Sequence, residues 1–453
     1  MTRLSDLTYG PPLGLLRGVA AAGLYPLAER IEQRAVGAKL RALRVHHRLT
    51  PAERRAVAQG ALADMLAFAG SQVPYYRDLF AAISFDPERL RADPTYLEAL
   101  PVLTKPTITE QGERMLSRPL AETRHYPCKT GGSTGEKVVI EYDQAANDHS
   151  SAVTAYGRAR IGASLFRSTL HFAARLPDTP RERWPSRETY KCLAMNRSNI
   201  FFADLETPAL EDIWQVLRRR SPYLVHAHPS TIYALAGHVR RHHLNAARRP
   251  VFAIFESSGE LLETYQRAAI AETFGCRVVD RYGLAEFGVI AYEFEPGRGL
   301  EVLDSEVWAE SLPLPGGVDS RRLIVTTLRN RLMPLIRYDT GDLASVALED
   351  GVVHLTNLTG RIHDAIEING VPYLTHHLQD VLDHRVSGIL EFQFDLRQTR
   401  PILRIALAPN GSAEDISRRV ENFWPGAFDL EFVGPGAMLR VGDRAKFRHV
   451  VKS

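Results

Sequence analysis

Residues 278–286, VVDRYGLAE, pass from two β-branched residues through an aspartate, an arginine and a tyrosine into a glycine turn that ends on a glutamate. Read alone, the segment is a strand whose end presents an aromatic face and a carboxylate: Tyr282 can stack on a purine, and Glu286 can hold magnesium through oxygen. A strand end with a solvated glutamate is the plainer reading of the same letters. Working outward, further β-rich runs stand at Val138 to Tyr142, Tyr223 to Ala227, Val251 to Phe255 and Leu323 to Leu328, with helical patterns between them. Strands separated by helices predict an α/β body.

The flanks differ in texture. The first hundred residues are mainly helical, with an Ala/Arg/Glu-rich run from Ala28 to Val45 and then Thr50-Pro51-Ala52-Glu53, a capping box with proline at the first helical position. The tail reads as a compact α+β unit. Its strands are predicted at Ala365 to Ile368, Leu390 to Leu396 and Ile402 to Leu407, and its helices at His376 to Arg385 and Ala413 to Trp424. The expected division is therefore a helical support region at 1–100 belonging to a large domain, an α/β body at 101–359 and a small α+β domain at 360–453.

Composition narrows the partners. The 453 residues are 45% hydrophobic and 24% charged, and 56 Lys and Arg against 53 Asp and Glu leave a formal charge of +3, too small for a nucleic-acid footprint. Cys128, Cys192 and Cys276 stand far apart without metal-ligand spacing, which argues against a disulfide framework and against a thiolate zinc site and suits a reducing cytoplasm. The apolar stretch from Pro12 to Ala28 is interrupted by Arg17, Gly18, Gly23 and Pro26, so neither a signal peptide nor a membrane span is expected.

Several segments carry candidate chemistry. Thr130, Gly131, Gly132, Ser133, Thr134 and Gly135 precede the VVIEY run, and their glycines and hydroxyls suit a loop whose N–H groups wrap phosphate oxygens. A hairpin tip explains the loop equally well in isolation. A P-loop is excluded, because no glycine here is followed by lysine and a hydroxyl residue at the required spacing. Asp342, in IRYDTGD, offers one carboxylate to a ribose diol. Arg361, in GRIHD, offers a guanidinium beside a glycine able to absorb backbone rotation, and Lys446, in RAKFR, is by itself one lysine among many.

Taken together and in this order, the segments resemble the core motifs of the acyl-adenylate-forming superfamily, with phenylacetate-CoA ligase and its relatives as the nearest branch. LPVLTK at 100–105 and IVTTLRNRLMPLIRYDTGD at 324–342 resemble that branch along their lengths, and the likeness covers most of the chain from about Leu100. The resemblance implies a large α/β domain followed by a small mobile α+β domain. It implies that Thr130 to Gly135 hold the ATP phosphates, that Gly259 and Glu260 of SSGE border the adenine, and that Arg281, Tyr282 and Gly283 form the nucleotide turn with Tyr282 on the base. Glu286 would bind magnesium, Asp342 and Arg361 would grip the ribose, His363 would stand at the hinge, and Lys446 would stabilise charge developing on the α-phosphate.

The same resemblance places an acyl pocket near His226, His228 and Ser257, with Tyr156, Tyr233 and Phe287 able to add aromatic walls suited to an aryl acid; plain core packing is their commoner fate. The implied partners are a carboxylic acid, ATP and magnesium, then coenzyme A, a phosphopantetheine-bearing carrier protein or an amine as acceptor. Ala285, His363 and Thr375 depart from the usual residues at their positions. Some relatives carry cysteines after the Glu286 segment; Phe294 and its neighbours supply none, so no structural zinc is expected. From another class, a binding protein that keeps the fold without turnover remains open.

Overall fold

A computed structural model describes residues 14–129, 138–174, 186–202, 205, 207–243, 250–314, 320–361, 366–369, 371–373, 378, 381–386, 388–408, 411–434, 437–441 and 446–452. The chain divides into two compact units, one of Met1–Ala22, Leu165–Val279 and Thr359–Ser453, the other of Gly23–Ser164 and Asp280–Leu358. No helix among the described residues is long and apolar enough to cross a membrane.

The second unit joins the early helices to an antiparallel sheet. Val307–Pro313, Arg321–Thr327 and Tyr338–Glu349 pair in sequence order, and Leu300–Val302 bridges to Gly288–Tyr292, which pairs with Arg277–Leu284. The predicted strand at Leu323 to Leu328 is Arg321–Thr327, with Leu323, Ile324 and Val325 fully buried. Helix Pro51–Gln72 begins on the predicted capping box: the Thr50 hydroxyl accepts from the Glu53 N–H, and the Glu53 carboxylate accepts from the Thr50 N–H at 2.8 Å. Its Leu62, Leu66 and Ala69 enter one apolar core with Tyr76, Phe80, Tyr338 and Leu323.

The helical run predicted from Ala28 to Val45 is broken. Gly14–Ile31 and Val36–His46 are separate helices, and Gln33 between them takes φ +53°. The break has a distant cause: Asp148, on helix Gln144–Arg160, accepts from Arg34 Nε and from the Ala35 N–H, both at 2.7 Å. Those bonds draw the backbone out of the helical path, which local propensity does not register.

In the first unit four parallel strands run in the order Ile254–Ser257, Leu224–Ala227, Thr169–Ala174, Arg197–Phe202. Helices Thr207–Arg220, Pro229–His242 and Thr264–Phe274 contribute Trp214, Leu235 and Phe274 to its core. The strand expected at Val251 to Phe255 begins three residues later, after Pro250 and a connection in which the Ala253 N–H bonds the Tyr223 carbonyl. The tail is an α+β module: Asp429–Val433, Ile402–Leu407, Ile389–Asp395 and Val450–Val451 form a mixed sheet, and helix Ala413–Phe423 lies with a core of Phe394, Trp424 and Phe428. The fold class is α/β, as the strand and helix alternation predicts.

The most economical probe of the second unit's core is Tyr76. Its buried hydroxyl donates to the Pro334 carbonyl at 3.0 Å and accepts from the Ile336 N–H at 3.1 Å. Tyr76→Phe strands both backbone groups and is expected to cost about 1–3 kcal/mol in urea unfolding, with the m-value unchanged.

Candidate functional site

In the second unit the predicted nucleotide residues converge on the end of Arg277–Leu284. Pairing with Gly288–Tyr292 slips in register between Tyr282 and Gly283. Gly283 is required there by space, since a Cβ would stand 2.5 Å from the Gly288 carbonyl oxygen. The slip leads into the turn carrying Glu286, and the Phe287 N–H returns to the Leu284 carbonyl. Arg281 lies on the same strand and donates its N–H to Asp280 Oδ1 at 2.9 Å.

Two tyrosine hydroxyls interlock the carboxylates. Tyr282 donates to Asp342 Oδ2 at 2.7 Å, and Tyr338 donates to Glu286 Oε1 at 2.9 Å. Asp342 and Tyr338 share the strand Tyr338–Glu349, so one strand supplies a partner to both ends of the turn. Asp342 is fixed further by its own N–H on Thr340 Oγ1 at 3.1 Å. Beneath the turn, Tyr142 donates to the Ala285 carbonyl at 3.3 Å. Burial, reinforced by the charges of Glu306, Cys128 and Glu286, pushes the Tyr142 hydroxyl well above its ordinary range, so it stays a donor.

The expected aromatic walls have other engagements. Phe287 is buried with its ring 5.8 Å from that of Tyr338. Tyr156 stacks on His47, with ring centroids 4.2 Å apart and planes 14° from parallel.

The first unit gathers a second group. His226 and Ser257 occupy the carboxyl ends of neighbouring parallel strands, where α/β sheets place their ligands. His226 Nδ1 lies 2.8 Å from Glu256 Oε2, its partner in register on the next strand, and its ring is 4.9 Å from that of His171. His228 stands at the N-cap position of helix Pro229–His242, and its Nδ1 is 3.0 Å from Glu260 Oε1. Gly259 takes φ +88°, which lets the chain turn so that Glu260 reaches back to His228 and to the Ser230 N–H at 3.3 Å. Tyr233, on the same helix, sets its ring edge-on to Tyr265 at 5.3 Å.

Burial alone would raise the Glu260 carboxyl, but hydrogen bonds from His228 and Ser230 and the charges of His228 and Arg440 hold it down at about 2. Burial lowers the Arg440 guanidinium, against the pull of Glu260 and Glu391.

Lys446 belongs to the two-residue strand Lys446–Phe447, paired with Arg440–Val441 so that Lys446 stands opposite Val441. Arg361 is the last residue of the strand Val352–Arg361. Thr130, Gly131, Gly132, Ser133, Thr134, Gly135 and His363 lie outside the described residues. Glu256, Glu263, Arg440 and His449 join the first unit's group without having been marked by the sequence, because strand register and long-range docking leave no local signal.

No protein-family model matches the sequence, and no curated protein matches it. The structure is similar to that of 2-hydroxyisobutyryl-CoA ligase. In the postadenylation state with 2-HIB-AMP, that enzyme aligns with a TM-score of 0.67 at 19% identity, covering 89% of this chain and 90% of that chain. Its open conformation with 2-HIB-AMP and CoA gives 0.56 at 19% identity, covering 89% and 93%, and its thioesterification state with the same ligands gives 0.55 at 19%, covering 88% and 90%.

The depressed Glu260 carboxyl sets a pH dependence. Its folded value of about 2 lies below its ordinary 4.5, so its stabilising contribution is full above pH 4.5 and is lost as pH falls toward 2. The unfolding free-energy difference between wild type and Glu260→Gln is expected to shrink across that window and to stay constant above it. Across nearly nine-tenths of its length, the chain has the fold of an adenylate-forming acid-CoA ligase.

Proposed function

We propose that the chain activates a carboxylic acid with ATP as an acyl-adenylate, releases pyrophosphate, and passes the acyl group to a thiol of coenzyme A or of a carrier protein's phosphopantetheine arm. The observation that carries this reading is the Tyr282–Asp342 hydrogen bond beside the Tyr338–Glu286 bond, on strands of a fold shared with an enzyme seen holding an acyl-AMP and CoA.

In the first half-reaction a carboxylate oxygen attacks the α-phosphorus, and the bond to pyrophosphate breaks. Two anions meet, so the step needs positive charge aimed at the developing phosphorane. Lys446 supplies it. Thr130 to Gly135 hold the phosphates, Gly259 and Glu260 border the base with Arg281, Tyr282 and Gly283, and Asp342 and Arg361 hold the ribose. The Tyr282 bond fixes the direction in which Asp342 presents its carboxylate to a ribose hydroxyl. Glu286 offers the oxygen donor that magnesium takes, and the ion would offset phosphate charge when bound.

In the second half-reaction the thiol sulfur attacks the acyl carbon, the acyl–oxygen bond breaks, and AMP leaves with the electron pair. Residues 360–453 act as a lid on the body 101–359, with 1–100 as support, turning about His363 so that Lys446 withdraws before transfer. His226, His228 and Ser257 serve the acyl side, and aryl acids are the favoured class. The reactions are those of the cytoplasm.

Lys446→Ala is expected to slow pyrophosphate release from acid and ATP by at least about 100-fold, a typical loss for one transition-state charge stabiliser, while sparing transfer from a supplied adenylate. Wild-type release in that variant contradicts the role. Glu286→Gln is expected to raise the magnesium concentration needed for half-maximal ATP use; an unchanged magnesium curve contradicts its assignment. Product mass identifies the acceptor, and an amide in place of a thioester overturns the thiol half of the reading.

A further inference from the structure

Within the first unit, the strand pair that carries Lys446 is held against the turns after two parallel strands by polar contacts from both of its own strands. From one strand, Arg440 Nη1 donates to Ser230 Oγ at 3.0 Å. From the other, the backbone N–H of Phe447, the residue next to Lys446, donates to Glu260 Oε1 at 2.7 Å. Just beyond, His449 Nε2 stands 3.3 Å from Glu263 Oε1. The seat is built from two turns that follow neighbouring parallel strands: His228 and Ser230 at the head of one helix, Glu260 and Glu263 before the next.

Glu260 is the centre of that seat. Its side chain is only 4% exposed, and both oxygens are occupied, Oε1 by His228 and Phe447 and Oε2 by the Ser230 N–H. A buried carboxylate is tolerated only while its hydrogen bonds are complete. Lifting the strand pair removes one donor from Oε1 and leaves the charge short of a partner, which favours the seated arrangement. The donor is backbone, so its position relative to the Lys446 Cα is set by covalent geometry and not by a rotamer. Leu439 and Arg448, which flank the pair, are held in turn by Gln393: its amide donates to the Leu439 carbonyl at 2.9 Å and to the Arg448 carbonyl at 2.8 Å.

We propose that Glu260 is a positioning residue that docks the strand pair bearing Lys446, and that its bond to the Phe447 N–H is the contact that must break before Lys446 can withdraw. The inference rests on the reading of Lys446 as the charge-stabilising lysine. It differs from the role the resemblance gives Glu260, bordering the adenine, in what a substitution should change.

The test uses the full-length chain. Amide exchange is followed by mass spectrometry over 437–449 and over the sheet strands 224–227 and 402–407, and the two half-reactions are timed separately. Glu260→Ala is expected to raise exchange in 437–449 by about tenfold, the loss of one hydrogen bond to a charged group, with the sheet strands unchanged. Adenylation kcat should fall by a similar factor, about tenfold, with transfer from a supplied adenylate preserved. Glu260→Gln keeps an acceptor for the Phe447 N–H and should restore most of the rate. Unchanged exchange in 437–449, or a raised KM for ATP with kcat preserved, overturns the proposal.

If Glu260→Ala loses protection throughout, Ser230→Ala replaces it. That variant removes the hydroxyl that accepts from Arg440, and it should raise exchange in 437–449 alone; no change there overturns the docking. Lys446→Ala separates the two readings. Wild-type pyrophosphate release in that variant overturns the catalytic role of Lys446 and with it the positioning role of Glu260, whereas exchange judges the docking contact independently.

Discussion

A carboxylate kept charged inside a protein constrains everything that touches it, and Glu260 is such a group. It is buried, its carboxyl is held near 2, and its donors come from a histidine side chain and from the backbone of two segments more than two hundred residues apart. None of these donors can leave without uncovering the charge. The turn geometry follows from the same need: Gly259 adopts a left-handed φ, so Glu260 folds back under the head of a helix instead of pointing outward. In the second unit the corresponding constraint is milder, a pair of tyrosine hydroxyls that orient Asp342 and Glu286 from two separate strands.

Both devices prepare acceptors in fixed directions before any ligand arrives. Preorganisation of this kind matters most for phosphoryl chemistry, where the protein does little covalent work and much positioning. The placement of His226 and Ser257 at the carboxyl ends of parallel strands is consistent with the same economy, since those ends present side chains and N–H groups together.

The sequence made the local features legible. The Thr50 and Glu53 capping box, the β-rich run that holds Arg321–Thr327, and the turn bearing Glu286 all declare themselves through neighbours a few residues away, although the strand runs on through Gly283 to Leu284. What stayed hidden is non-local. The interruption of the early helical run is imposed by Asp148, more than a hundred residues distant. The pairing of His226 with Glu256 depends on the register of two parallel strands, which no turn fixes. Glu260 was marked through resemblance as a neighbour of the base, yet its bond to the Phe447 N–H joins parts of the chain that no periodicity links.

The central claim is that a carboxylate oxygen attacks the α-phosphorus of ATP. The direct measurement is to supply the accepted acid with both carboxyl oxygens labelled as oxygen-18, together with ATP and the acyl acceptor, and to weigh the nucleotide product. Adenylation followed by acyl transfer leaves one labelled oxygen in AMP for every acyl group transferred. Unlabelled AMP, or ADP as the nucleotide product, contradicts the account.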